Sequence, residues 1–518
     1  MSMINIQNLS FRYDSYGENI FENVTLQLDT DWRLGLTGRN GRGKSTFLYL
    51  LAGRYSYNGS ITASVTFDYF PFPAGASEEE TRRAMKRMIA PFEQWEAEME
   101  QYMQTDLDRY AQALENYQAY DGYTIEQQME KELGKLRVSP AILEQPFATL
   151  SGGEKVKVQL AALFLKKNNF LLLDEPTNHL DSEGRDAIAA YLASKSGFIL
   201  VSHDRALLDA VTDHTLSINR TNIELQKGSF SSWMRNKQQQ DEFEQARNRH
   251  LKSEIDKLGT AARRTAGWSD QIEASKTGGF DKGYIGHKSA KMMQRAKSVE
   301  QRRQRAVEEK RSLLKNIETA EELKLHPIDY PKRFLAEAAG LSISYGGQPL
   351  FSELSFVIEP QDRIALSGKN GSGKTSLIRL LLGESVPHDG ILRRGSNLKL
   401  SYIPQDTSFL TGSLKELSQV SGIDESLFKA ILRKLDFSRE QFEKNMENYS
   451  EGQKKKVLLA RSLCEQAHLY VWDEPLNYID VFSRMQIEQL IMEYRPTLLF
   501  VEHDAYFEKK IATKKIEL

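Results

Sequence analysis

The sequence is poor in cysteine, in long apolar runs and in net charge, and each shortage excludes something. One cysteine, Cys464, occurs in 518 residues. A single cysteine forms no internal disulfide and no cysteine-rich zinc site, which fits a reducing compartment. No stretch approaches the roughly 20 apolar residues that a membrane-spanning helix needs. The best runs, Phe198–Val201 and Leu171–Leu173, are strand-sized. Met1–Phe11 has no apolar core behind basic residues, so no secretory signal is expected. The 69 Lys and Arg nearly balance the 71 Asp and Glu, for a net charge of −2. Any surface for a polyanion must then be local. Residues 235–322 contain no proline, which leaves long helices free to form there.

What is present is a repeat. A chain of 518 residues is too long for one core and allows two to four domains. Gly38-Arg-Asn-Gly-Arg-Gly43-Lys44-Ser45 recurs as Gly368-Lys-Asn-Gly-Ser-Gly373-Lys374-Thr375. Ser151-Gly-Gly-Glu154 is echoed by Ser450-Glu-Gly-Gln453, Leu171-Leu-Leu-Asp174-Glu175-Pro176 by Val471-Trp-Asp473-Glu474-Pro475, and Val201-Ser-His203-Asp204 by Val501-Glu-His503-Asp504. Ser151 precedes Asp174 by 23 positions, and Ser450 precedes Asp473 by the same 23. Four motifs in one order at one spacing define a duplicated module of roughly 200 residues. The expected division is 1–232, 233–325 and 326–518.

Each glycine-rich loop follows an apolar segment (Arg33–Thr37, Arg363–Ser367) and opens a helical one, the strand–loop–helix context of a phosphate-binding loop. Backbone N–H groups around Gly38, Asn40, Gly41, Gly43 and Thr46, and around Gly368, Asn370, Gly371, Gly373 and Ser376, are placed to converge on phosphate oxygens. Lys44 and Lys374 are expected on the β- and γ-phosphates of ATP, and Ser45 and Thr375 on Mg²⁺. Asp174 and Asp473 end apolar strands, where a carboxylate holds the metal. Glu175 and Glu474 follow at once, placed to activate the attacking water, and His203 and His503 end further strands within reach of the γ-phosphate. Tyr13 and Tyr345 precede the loops. Each is either a platform for adenine or a half-buried strand tyrosine.

Leu150-Ser151-Gly152-Gly153-Glu154 ahead of the Asp174 strand resembles the signature loop of ATP-binding cassette ATPases. The resemblance extends over both halves. It implies an α/β fold of two P-loop cassettes joined by a helical hairpin, closing head to tail over two ATP–Mg²⁺ sites. One site then pairs Lys44, Ser45, Asp174, Glu175 and His203 with Ser450, Gly452 and Gln453. The other pairs Lys374, Thr375, Asp473, Glu474 and His503 with Ser151, Gly152, Gly153 and Glu154. The family's glutamine beside the metal is Gln405 in the second half, but the first half has Phe72 there. Glu451 replaces a glycine of the second signature. Both departures fall in the Lys44 site, which is expected to hydrolyse ATP more slowly.

The segment between the copies has its own character. Residues 235–322 hold 20 Lys and Arg and 14 Asp and Glu, with apolar stripes at helical spacing on either side of a stretch containing Gly267, Gly278, Gly279, Gly283 and Gly286. Two antiparallel helices with a glycine-rich tip are expected. Residues 263–311 carry a local charge of +7. Arg263, Arg264, Lys276, Lys282, Lys288, Lys291 and Arg295, interleaved with Trp268, Phe280 and Tyr284, suit rRNA and tRNA phosphates and unpaired bases. A solvated helix pair with aromatics packed on one another is the plainer alternative.

Twin cassettes, no membrane segment and such a linker resemble the ABC-F class of soluble ribosome-acting ATPases. The resemblance implies a cytoplasmic partner of the 70S ribosome, its linker in the E site near 23S rRNA and P-site tRNA. Lys44 to Asp174 spans 130 positions against 99 from Lys374 to Asp473; the 31 extra lie around Ala74 to Val138, including a helical stretch Leu107–Leu136. That is short for the arm of housekeeping members. With no basic extension expected after His503, and with Trp472-Asp-Glu-Pro-Leu476-Asn-Tyr478 where the first copy has Thr177 in place of Leu476, the chain resembles the Vga/Lsa-type antibiotic-resistance branch. That branch protects ribosomes from lincosamides, pleuromutilins and streptogramin A. A housekeeping factor of the same class and the ATPase of an exporter are the alternatives.

Overall fold

The computed structural model describes residues 2–13, 19–71, 78–178, 180–219, 222–244, 246–248, 250–251, 253, 323–345, 348–369 and 371–518. The chain divides into two compact units, Met1–Ser231 with Ala320–Leu518, and Ser232–Thr319.

The first unit contains both copies of the repeat. Each is built on a mainly parallel sheet whose inner strands are apolar and buried, because other layers cover them. Phe198–Val201 and Leu498–Val501 are buried at every residue. The first sheet runs in the order Thr66–Phe70, Asn169–Asp174, Phe198–Val201, Arg33–Thr37, His214–Ile218, Ile223–Lys227, and the last strand is antiparallel. The second repeats it as Leu400–Ile403, Leu469–Asp473, Leu498–Val501, Arg363–Ser367, Lys514–Glu517. The phosphate-loop strand is interior in both. The loop, the Asp–Glu pair and the histidine therefore leave the carboxyl ends of three neighbouring strands, the end at which open α/β sheets bind ligands. Each copy adds a three-stranded antiparallel sheet, Phe21–Asp29, Met3–Phe11, Asn58–Thr62 and its counterpart Gln348–Ile358, Ala336–Tyr345, His388–Arg394.

The copies differ between the metal-side strand and the signature helix. The second uses Leu414–Val420 and Glu425–Lys434; the first uses Thr81–Ile89, Phe92–Tyr102, Leu107–Ala119 and Ile125–Lys135. The helices Phe92–Tyr102 and Leu107–Ala119 pack on each other around Phe92, Trp95, Tyr117, Tyr120 and Tyr123. The helical stretch expected over Leu107–Leu136 is in fact two helices. The break falls at Asp121-Gly122, a turn pair. Asp121 takes φ 57°, and a Cβ on Gly122 would lie 2.3 Å from the Tyr117 ring.

The second unit begins as helix through its described residues. The glycine-rich tip, the return helix and all ten expected contact residues, Arg263, Arg264, Trp268, Lys276, Phe280, Lys282, Tyr284, Lys288, Lys291 and Arg295, lie outside the described residues. The expected linker end at residue 325 is late. Leu323 and Leu325 are buried in the core of the second cassette, because their apolar side chains complete it.

Candidate nucleotide sites

Both phosphate loops owe their shape to glycine. Gly41 and Gly371 take φ +83° and +80° although a Cβ there would meet nothing within 4 Å; the left-handed backbone alone calls for glycine. At Gly43 the φ of +89° is compounded by Ile20, whose Cγ2 would lie 2.7 Å from a Cβ. Each loop closes on its own lysine. Lys44 Nζ donates to Gly38 O at 2.9 Å and to Asn40 Oδ1 at 3.2 Å. Lys374 Nζ donates to Gly368 O at 2.8 Å and Lys369 O at 2.9 Å. Burial lowers both amines from their usual range. The loops thus hold a buried cation on glycine-shaped backbone, which fits a phosphate group.

The metal-side residues fit Mg²⁺, a hard cation that takes hydroxyl and carboxylate oxygens. Ser45 Oγ donates to Asp174 Oδ2 at 2.7 Å, and Thr375 Oγ1 lies 3.4 Å from Asp473 Oδ2. Next to these carboxylates, Glu175 and Glu474 sit at φ 52° and 50°, a strained conformation for a residue with a Cβ. Their N–H groups are pinned to Val201 O and Val501 O at 2.9 and 3.0 Å. His203 Nε2 lies 3.4 Å from Glu175 Oε1, and His503 Nε2 lies 3.4 Å from Glu474 Oε1.

Beyond this shared frame the two sites diverge. Burial, with Asp174 alongside, pushes the Glu175 carboxyl up to about 8. Burial also acts on Glu474, but the hydrogen bonds and charge of His503, with help from Gln405, outweigh it and hold that carboxyl below its ordinary value. Asn477 Nδ2 adds a bond to Glu474 Oε2 at 2.6 Å. Asp473 is raised to about 6 by burial and by Glu474. His203 is pushed well below its usual range by burial, then by Lys44 and Arg484.

The surroundings diverge as well. A cavity of about 870 Å³ around Lys44, Ser45, Thr46, Asp174, Glu175, His203 and Tyr13 is lined from the other cassette by Ser450, Glu451, Gly452 and Gln453. Asn40 Nδ2 also crosses to Tyr478 O at 2.9 Å. The cavity around Lys374, Thr375, Ser376, Gln405, Asp473, Glu474 and His503 is about 430 Å³, and the first cassette supplies Arg185 to it. Ser151, Gly152, Gly153 and Glu154 do not line it. The structure brings the first expected set together in one cavity and does not bring Ser151, Gly152, Gly153 and Glu154 into the cavity of Lys374. Tyr345 is about half exposed and lines neither cavity. Tyr13 is held by a 2.9 Å bond between its hydroxyl and Thr46 Oγ1. Asn370 and Phe72 lie outside the described residues.

Both signature serines have a structural duty that the motif alone does not reveal. Ser151 Oγ accepts from Glu154 N, and Glu154 Oε2 accepts from Ser151 N at 2.9 Å; Ser450 and Gln453 repeat the arrangement. These reciprocal capping bonds satisfy donors at the helix start. They turn the Glu154 and Gln453 side chains back on their own backbone. Glu451 turns to its own cassette too, accepting from Thr407 Oγ1 at 2.5 Å and from Lys454 Nζ at 3.2 Å.

The motifs missed Arg185, Arg484 and Asp480. Asp480 is fully buried, 3.3 Å from Lys456 Nζ, and its charge acts on Lys44 of the other cassette. Arg484 Nη1 pairs with Asp504 at 3.1 Å. The repeat carried the signal: Asp181 and Arg185 match Asp480 and Arg484 in position.

In this frame Lys44 and Lys374 would exchange their bonds to loop carbonyls for phosphate oxygens. Ser45 with Asp174, and Thr375 with Asp473, would hold the metal, and Glu175 and Glu474 in their ionised forms would orient water and take its proton. Mg²⁺ held there would supply neutralisation of phosphate charge.

The ABC transporter family profile matches residues 21–178 and again 351–477. Over its whole length the chain is 29% identical to the putative ATP-binding protein YdiF of Bacillus subtilis, covering 80% of that protein. It is 27% identical to the ribosome protection protein VmlR of Bacillus subtilis, over 99% of this chain and 86% of that one. It is also 27% identical to the energy-dependent translational throttle protein EttA of Escherichia coli, over 96% and 88%. An archaeal ribosome recycling factor solved with a ribosomal stalk protein shares the fold, with a TM-score of 0.59 at 18% identity over 98% of this chain and 87% of that one. The chain belongs to the ABC transporter family, as a twin-cassette ATP hydrolase that uses ATP with Mg²⁺.

Proposed function

We propose that the chain is an ABC-F ATPase that binds the 70S ribosome in its ATP-closed state and protects it from drugs at the peptidyl transferase centre. The carrying observation is that one chain supplies both faces of a nucleotide cavity: the Lys44 loop and the Ser450–Gln453 signature line the same space. ATP can then close the molecule on itself, as a cytoplasmic monomer without a partner cassette. Among the described residues no helix is long and apolar enough to cross a membrane. The +7 segment 263–311 supplies the surface for 23S rRNA and P-site tRNA. The closed state acts by binding the ribosome better than the open one, its linker shifting P-site tRNA so that lincosamides, pleuromutilins and streptogramin A are expelled. Similarity to a ribosome protection protein supports this reading.

A second reading, a housekeeping translation factor, is favoured by one observation. The extra residues of the first cassette fold into the packed helices Phe92–Tyr102 and Leu107–Ala119, where housekeeping members carry an arm. The similarity to a translational throttle protein is equally strong.

Translation in a purified, membrane-free bacterial system inhibited by lincomycin separates the readings. Rescue by the protein with ATP is expected for ribosome protection. Absence of rescue, with ribosome binding intact, would support the housekeeping factor. In the same system the Glu175→Gln, Glu474→Gln double variant is expected to co-sediment with ribosomes in ATP, because closure outlasts the lost hydrolysis. Its failure to sediment would count against both ribosomal readings and return the exporter alternative.

A further inference from the structure

The carboxylate of Asp174 carries a contact that its counterpart lacks. Tyr69, in the strand Thr66–Phe70, donates its hydroxyl to Asp174 Oδ2 at 2.9 Å, the same oxygen that accepts from Ser45 at 2.7 Å. The phenol is held from both sides. Its hydroxyl lies 3.3 Å from that of Tyr49. The Arg54 guanidinium covers the Tyr69 ring at 4.5 Å and the Tyr49 ring at 5.0 Å. In the second cassette the same three positions are Tyr402, Arg379 and Glu384. There Arg379 pairs with Glu384 at 3.8 Å, and among the described residues no hydroxyl of Tyr402 reaches Asp473. The second cassette has Gln405 beside Glu474, whereas the first has the apolar Phe72 at that place in its sequence.

We propose that Tyr69 is a positioning residue for Mg²⁺ at the first site, fixing the Asp174 carboxylate in the orientation that holds the metal. This rests on the reading of Lys44, Ser45 and Asp174 as an ATP–Mg²⁺ site. Two hydroxyl donors on one oxygen remove the rotational freedom of the carboxylate, and the ring clamped by Arg54 and Tyr49 keeps the second donor in place. Groups that orient a metal's ligand typically contribute about 10- to 100-fold to its affinity.

The test is binding of a fluorescent ATP analogue to the full chain as Mg²⁺ is titrated, in a Lys374→Ala background that leaves the first site alone. Tyr69→Phe keeps the ring and removes the hydroxyl. The Mg²⁺ concentration for half-maximal binding is expected to rise about tenfold or more, with metal-free binding in EDTA unchanged. In a Lys44→Ala background, Tyr402→Phe is expected to leave the Mg²⁺ midpoint of the second site unmoved. An unchanged midpoint in Tyr69→Phe would overturn the proposal, and so would an equal loss with and without Mg²⁺, which marks packing alone. If the Lys374→Ala parent binds no nucleotide even in Mg²⁺, the reading of the first site itself fails and the proposal falls with it.

Discussion

Replacing Glu474 by glutamine is expected to lower ATPase activity at pH 7 about tenfold, while Glu175→Gln removes only about a tenth of it. A general base works as the carboxylate, and proton transfer of this kind contributes about 10²- to 10⁴-fold. Glu474 is held below its ordinary value by His503 and is fully ionised at pH 7. Glu175 is pushed up to about 8 by burial and by Asp174, so at pH 7 roughly one molecule in ten carries the charge. The sign follows: the active form at Glu175 is present above about 8 and lost as pH falls through that value. In the Glu474→Gln variant kcat/KM, which reports the free enzyme, is expected to climb about tenfold between pH 7 and pH 9. The Glu175→Gln variant is expected to stay flat over that range. Equal losses in the two variants would dispose of the asymmetry, as would a flat profile in Glu474→Gln. The departures at Phe72 and Glu451 point to the same slower site. Glu451 does not act by facing the nucleotide, since Thr407 and Lys454 hold its carboxylate on its own cassette.

The second large effect concerns how the cassettes hold together. Arg205 follows His203 and Asp204 in the first cassette, and Glu488 lies in the helix Val481–Tyr494 of the second. The two form a bidentate pair with side chains 7% and 0% exposed. Lys510 adds a 3.0 Å contact to Glu488, and Tyr506 stacks under the guanidinium at 4.1 Å. The pair occurs on one side only, because the matching positions hold Ala505 and Ala189. Removing one member of a buried pair strands the other charge, at a cost of about 3–5 kcal/mol. Arg205→Ala is expected near the lower end, about 3 kcal/mol, because Lys510 still faces Glu488. In a double-mutant cycle read by urea unfolding, Arg205→Ala with Glu488→Ala is expected to cost less than the two singles together, by about 2 kcal/mol. Strict additivity would show that the contact contributes nothing to cohesion between the cassettes.

Much of this architecture is legible in the amino-acid sequence. The phosphate loops and the strands ending in Asp174 and Asp473 are short-range features. Their physical causes, left-handed glycines and apolar runs, act within a few residues. Repetition at matched spacing then places each in an equivalent fold. The break at Asp121-Gly122 is carried by the turn pair itself, a local signal that the expectation of one helical stretch passes over; in the structure Asp121 takes φ 57° and the turn closes against Tyr117.

Tertiary structure decides what separates the two halves. The Ser450–Gln453 signature lines the Lys44 cavity, whereas Arg185 and not Ser151 reaches the cavity of Lys374. Asp174 draws the hydroxyl of Tyr69, while among the described residues Asp473 draws none from Tyr402. Glu175 and Glu474, alike in sequence and in backbone, differ in ionisation because burial and neighbouring charge differ around them. Residues that share a motif share its local geometry. Their charge state and their partners come from burial and from side chains outside the motif, Arg484 around Glu175, and His503 and Gln405 around Glu474, brought close only by tertiary packing.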